Sequence, residues 1–122
     1  MSSNITVRPV NSLLFISDLD GGIPPVIPNR DATVWSTASC ISFRCFPEQD
    51  GPTEIVLGPA KDVDPGNHPT FDGELNTPNH RLIVSTVEHK TVLEAEVPHA
   101  RSRLRIWASH PRWPERVVIG FE

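Results

Sequence analysis

Polar and apolar positions alternate most clearly in the last third of the chain. Residues 82–87, 91–97, 102–109 and 116–121 each place an apolar residue at every second position, the period of a strand with one face buried. A link of only four residues joins the second and third of these strands, which predicts a hairpin. Antiparallel pairing across it sets Val97 opposite Ser102, Glu96 opposite Arg103 and Glu94 opposite Arg105 on the outer face. The same register sets Ala95 opposite Leu104 and Leu93 opposite Ile106 on the inner face. The preceding hairpin then needs a loop of even length, His89-Lys90 or residues 88–91, to keep Leu82 and Val84 on the face of Leu93 and Ala95.

Earlier segments follow the same rule with weaker patterns. Residues 5–10 alternate and read as an edge strand ended by Pro9, and the short apolar run 13–16 reads as a buried strand. Residues 18–29 are dense in Asp, Gly and Pro and read as a long ordered loop. Residues 30–38 fit no pattern. Residues 40–46 and 53–58 are strands around the turn 49–52, forming a second expected hairpin. The stretch 59–79 reads as one long loop with at most a short strand near Thr70 and Phe71, and a loop of that length is often functional. No helical period of ten or more residues occurs. These features predict a single all-β domain over residues 1–122, an antiparallel β-sandwich of seven to nine short strands; a small barrel would give a similar sequence.

Composition supports this reading. At 122 residues the chain can bury one core, and its 13 prolines suit short strands joined by ordered turns better than helices. No apolar run approaches the roughly 18 residues of a membrane helix, and the first residues lack a signal-peptide pattern, so no membrane association and a cytoplasmic location are expected. Cys40 and Cys45 stand an odd number of positions apart on one expected strand. They point to opposite faces and are expected to remain separate, buried thiols.

The net charge of −4 is unevenly placed: residues 1–79 carry ten acids and four bases, residues 80–122 five acids and seven bases. An acidic first half can steer a basic partner. The mild excess of bases in the second half is too small for a nucleic-acid footprint, so nucleic acid is not an expected partner.

Candidate chemistry is sparse. Ser17-Asp18-Leu19-Asp20-Gly21 resembles the first motif of the haloacid dehalogenase family, but Gly22 stands where that family has Thr or Val, and the helices its fold needs are missing. The five histidines show neither HxH nor HxxxH spacing, no CxxC occurs, and the acids of 62–72 lack the spacing of a calcium loop. No phosphate-binding or nucleophile-elbow motif is present. No cofactor, metal or catalytic residue is therefore expected, and binding is favoured over catalysis. Trp107 points outward beside Arg103 and Arg105, with Trp113 in the following loop, a combination enriched at binding hot spots unless another segment covers it.

The order of segments resembles the competence protein J family. The likeness lies in Phe15 to Val26, with its acidic loop and double proline, in Ile41-Ser42-Phe43, in the strand from Thr53 to Leu57, in Arg103 to Trp107, and in Val117-Val118-Ile119; residues 59–80 show none. The resemblance implies a β-rich inhibitor of a nuclease, hence a protein partner, a nuclease or another basic enzyme. A nuclease inhibitor would offer carboxylates to a basic cleft, and Asp18, Asp20 and, third, Glu122 are the candidates. The expected binding residues are thus Asp18, Asp20, Arg103, Arg105, Trp107 and Trp113. Two other readings remain open: a small-molecule or carbohydrate-binding sandwich using Trp107, Trp113 and arginines, and an enzyme with a site in the 59–79 loop.

Overall fold

The computed structural model describes residues 2–19, 21–25 and 32–122. Ten strands occur among them: β1 (Ser3–Val7), β2 (Leu13–Ser17), β3 (Val34–Ser36), β4 (Cys40–Arg44), β5 (Thr53–Pro59), β6 (Phe71–Asn76), β7 (Arg81–Thr86), β8 (Thr91–Glu96), β9 (Arg101–Ala108) and β10 (Arg116–Phe121). One helical turn, α1 (Ala60–Val63), follows β5. They form two five-stranded sheets, ordered β1-β5-β10-β9-β6 and β3-β4-β2-β7-β8, in which β5 and β10 run parallel and every other pair is antiparallel. The all-β sandwich is as expected, but it has ten strands among the described residues where seven to nine were expected, with β3 lying in a stretch without pattern and β6 in the expected long loop, and one of its pairs is parallel.

Alternation builds the core between the sheets. Ile55, Leu57, Leu104, Ile106, Val117 and Ile119 from the first sheet meet Leu14, Ile16, Ile41, Phe43, Leu82 and Val84 from the second, all essentially inaccessible. Full burial of each such side chain stabilises the fold by about 1.5–3 kcal/mol before chain entropy is counted. Cys45 joins this core, Cys40 is buried beside it, and both thiols are free. Burial pushes Cys40 up to about 11 and Cys45 up to about 12, so both stay protonated.

Neither of two expected hairpins forms. β8 lies in the second sheet against β7, with Arg81 opposite Glu96 and Ile83 opposite Glu94. β9 lies in the first sheet between β6 and β10, with Asp72 opposite Arg105 and Glu74 opposite Arg103. The short link after β8 is a corner between sheets. The Val97 amide donates to His80 O, the Thr77 amide donates to Ala100 O, and the Thr77 hydroxyl bonds His99 O and Ser102 Oγ, so the chain turns away from its own preceding strand. Likewise β4 pairs with β2 and β3, while β5 pairs with β1 and β10, so residues 45–52 cross from one sheet to the other. The expected β7–β8 hairpin does form. Leu82 faces Ala95 and Val84 faces Leu93 as expected, but the loop is not even: a register shift after Val84 pairs Ser85 with Thr91 and leaves five residues between them.

The expected long loop 59–79 contains two regular elements. α1 starts it and β6 ends it as the edge strand of the first sheet. β6 has a weak pattern because glycine occupies one of its inward positions; the Phe71 ring lies in that place, 2.7 Å from where a Cβ on Gly73 would sit.

Candidate functional site

The loop leaving β2 is the first region singled out by sequence. Asp18 does not offer its carboxylate to solvent. It is 5% exposed, and its two oxygens accept from the Asn79 backbone and side-chain amides at 2.9 and 2.7 Å and from the Arg81 amide at 3.1 Å. Burial works against the charged form, but these hydrogen bonds outweigh it and hold the carboxyl below its ordinary value of 3.8. Asp18 therefore ties the end of β2 to the turn before β7. Asp20 lies outside the described residues, as do residues 26–31, which include the far end of the expected loop.

Among the described residues of this loop, two aliphatic side chains are exposed. Leu19 is 61% exposed and Ile23 is 72% exposed. The backbone that carries them is fastened at several points. The Gly21 amide donates to Asp18 O at 3.0 Å, the Ile23 amide donates to Ser39 Oγ at 2.9 Å, and Ile23 O accepts from Thr37 Oγ1 at 2.7 Å. Gly22, at φ +123°, lies so close to the Ser39 carbonyl that a Cβ would come within 2.3 Å of its oxygen.

The outer face of the first sheet is covered around Trp107. Trp107 points outward as alternation requires, but it is 5% exposed, packed with Val56, Val118 and Val63 beneath α1, and its Nε1 donates to Asn67 O at 2.9 Å. The segment after β5 that reads as an open loop is its cover. α1 comes this close because Gly120 lies below it; a Cβ there would stand 3.0 Å from Ala60 Cα and 3.2 Å from the Trp107 ring. Arg105 lies over the Trp107 ring and pairs with Asp64 and Glu122. Glu122 is thus a partner of Arg105. Arg103 grips Asp72 with two hydrogen bonds of 2.9 and 2.7 Å. That grip holds Asp72 below its ordinary value and raises Arg103. With Arg101–Glu74 at 3.6 Å and Arg116–Glu54 at 3.0 Å, this face is a ladder of ion pairs.

Trp113 is the exposed aromatic, 40% accessible. Its ring lies 5.2 Å from the Arg44 guanidinium, which is 5.5 Å from the Trp35 ring on its other contact. This stack brings the loop between β9 and β10 across to the second sheet, and a hydrogen bond from the Thr33 hydroxyl to Pro111 O fastens it. The His110 imidazole Nδ1 shapes the same loop by accepting from the Arg112 and Trp113 amides at 3.1 and 3.0 Å. Beside the stack opens a cleft of about 1140 Å³ reaching Asn11, Phe46 and Glu48. Sequence reasoning found Trp113 but not Trp35 or Arg44. Alternation from Ile41 and Phe43 places Arg44 on the outer face, yet nothing local marks Trp35 as its neighbour.

The structure therefore does not gather Asp18, Arg103, Arg105, Trp107 and Trp113 into one site. Asp18 and Trp107 are interior supports, the two arginines are paired on one sheet, and Trp113 stands by the other. Among the described residues no group of three or more His, Cys, Asp or Glu side chains is placed to hold a metal ion.

No protein-family model and no curated protein matches the chain. Two solved structures do. A protein named Crocagin biosynthetic gene J gives a TM-score of 0.46 at 11% identity, over 98% of this chain and 94% of that one. ComJ from Bacillus subtilis, the inhibitor of the DNA degrading activity of NucA, gives a TM-score of 0.66 at 11% identity, over 99% of this chain and 93% of that one. From end to end, the chain is similar in fold to ComJ.

Proposed function

We propose that this protein is a non-catalytic binding domain that regulates another protein, and that its partner is a nuclease or a similarly basic enzyme. The observation that carries the reading is the likeness of fold to ComJ across nearly the full length of both chains. Fold alone does not transfer a partner, so the surface has to support it. Exposed apolar side chains at Leu19 and Ile23 after β2, and an acidic first half suited to steering a basic enzyme, are features of a binding protein. The test is to purify the DNA-degrading enzymes of the source genome and titrate each with this protein while following plasmid cleavage. Stoichiometric loss of cleavage by one of them is expected. Full cleavage by all of them at tenfold molar excess rules the reading out.

The cleft beside Trp113 favours a second reading, a small-molecule or carbohydrate site using Trp113, Trp35 and Arg44. A thermal-shift screen against sugars and nucleotides checks it. A hit whose shift disappears in Trp113→Ala is expected on this reading, and the absence of any hit removes it.

A further inference from the structure

We propose that His110 is a pH-sensitive latch: neutral, it holds the loop between β9 and β10 closed with Trp113 on Arg44, and protonated, it releases that loop. Two prolines make one imidazole matter to so short a loop, because Pro111 and Pro114 carry no backbone N–H. The Arg112 and Trp113 amides between them both donate to His110 Nδ1, at 3.1 and 3.0 Å. Nδ1 accepts them only while it carries no proton, which puts the ring hydrogen on Nε2. An incoming proton takes the same lone pair. Nδ1 then becomes a donor facing two donors, and both bonds are lost at once.

The base of the loop does not share this sensitivity. Ser109 Oγ accepts from the Glu115 and Arg116 amides, both at 3.0 Å, and the Ser109 amide donates to Arg116 O. A serine hydroxyl does not titrate in this range, so release is confined to residues 110–114. The tip is otherwise held by the Thr33 hydroxyl on Pro111 O and by the Trp113 ring, 5.2 Å from the Arg44 guanidinium. Cation–π contacts at exposed sites are weak, so Trp113 keeps its place only while the backbone carrying it is fixed. Trp113 and Phe46 line both the cleft of about 1140 Å³ and a smaller hollow of about 490 Å³, so release of the loop changes the shape of both. The charged groups around the ring are mixed in sign. Glu115 and Arg116, the latter paired with Glu54 of β5, line the smaller hollow with His110. Arg44 of β4, Glu48 and Asp50 of the crossing 45–52, and Arg112 line the cleft. Carboxylates and guanidiniums ordinarily keep their charge between about pH 8 and 5, where histidine changes its own. The latch therefore works through the loss of one lone pair, and it needs neither a nuclease nor a ligand in the cleft.

Nuclear magnetic resonance of the full chain, titrated from about pH 8 to about pH 5, tests this. The ring nitrogens of His110 report its proton, and Overhauser contacts between the Trp113 ring and the Arg44 side chain report the closed loop. The contacts should be strong at the upper end and fall by about tenfold as the His110 ring becomes charged. The Glu115 and Arg116 amide signals should persist through the same range. His110→Asn puts a carbonyl oxygen that does not titrate close to where Nδ1 stands, and should keep the contacts at both ends of the range. His110→Ala should lack them at both. Contacts that survive a charged His110 overturn the latch. So does a ring still neutral at the lower end, a pH-dependent loss that persists in His110→Asn, or full contacts in His110→Ala at the upper end. Loss of the Glu115 and Arg116 signals together with the contacts also overturns it, because general unfolding then explains the change.

Discussion

A carboxylate taken out of water costs several kcal/mol unless hydrogen bonds replace its hydration. Asp18 receives three such bonds, two from a residue 61 positions away and one from a residue 63 positions away. Removing it leaves the Asn79 and Arg81 amides short of an acceptor, so Asp18→Ala should lower stability at neutral pH by about 1–3 kcal/mol in urea unfolding. The pH dependence follows from the direction of its shift. Its folded-state value lies below the 3.8 of the unfolded chain, so the unfolded state binds the proton first. The contribution is therefore complete above 3.8 and is lost as pH falls through the lower folded value, where the gap between Asp18→Ala and the unaltered protein should close. Asp18 was legible in sequence as a notable acid on a turn; its inward direction was not, because the groups that fix it come from the turn between β6 and β7 and from the start of β7. The thiols were fully legible, since strand alternation alone separates them. Their raised values predict that Cys40 and Cys45 resist a disulfide-exchange reagent in the folded protein and that both react in urea. Rapid reaction of either in native buffer would contradict the burial.

At the scale of elements, alternation finds strands and the faces they bury, but it does not find their neighbours. The outward row of β8 is acidic at Glu94 and Glu96, and that of β9 is basic at Arg103 and Arg105, so the two match on paper. Arg81 on β7 meets the same acids equally well, and Asp72 and Glu74 on β6 meet the same arginines. Charge and apolar parity are thus satisfied by two pairings. The corner built by His80, Thr77 and Ser102 decides between them, and none of its hydrogen bonds follows from local pattern. β3 and β6 were hidden for a related reason: one is three residues long, and the other has glycine where an inward side chain would show the period. A double-mutant cycle separates the two pairings. Arg81 lies 2.9 Å from Glu94 with its side chain 30% exposed, so Arg81→Ala and Glu94→Ala should couple by about 0.2–1 kcal/mol. Glu94→Ala and Arg105→Ala, on different sheets, should be additive within error. Coupling in the second cycle and not the first would restore the hairpin across Pro98.

For the whole molecule, sheet order assigns the strands unequal weight. β5 is flanked by β1 and β10, strands from opposite ends of the described chain, so the first sheet closes only when distant segments meet. β10 is internal. It pairs on both sides, puts Val117 and Ile119 into the core, and adds Val118 to the cluster around Trp107. Three buried aliphatic side chains at about 1.5–3 kcal/mol each, with two hydrogen-bonded ladders, rival the 5–15 kcal/mol total of an ordinary domain. β1 is an edge strand, and Ile5 and Val7 are only partly buried against the core. Deleting residues 116–122 should therefore abolish the cooperative urea transition and the near-ultraviolet dichroism of the tryptophans, whereas deleting residues 1–7 should leave a single transition at a lower midpoint. The reverse ranking would mean that the two sheets are not held together through β10. A folded protein after the first deletion would also free Trp107 from its cover, because α1 rests on Gly120 of that same strand.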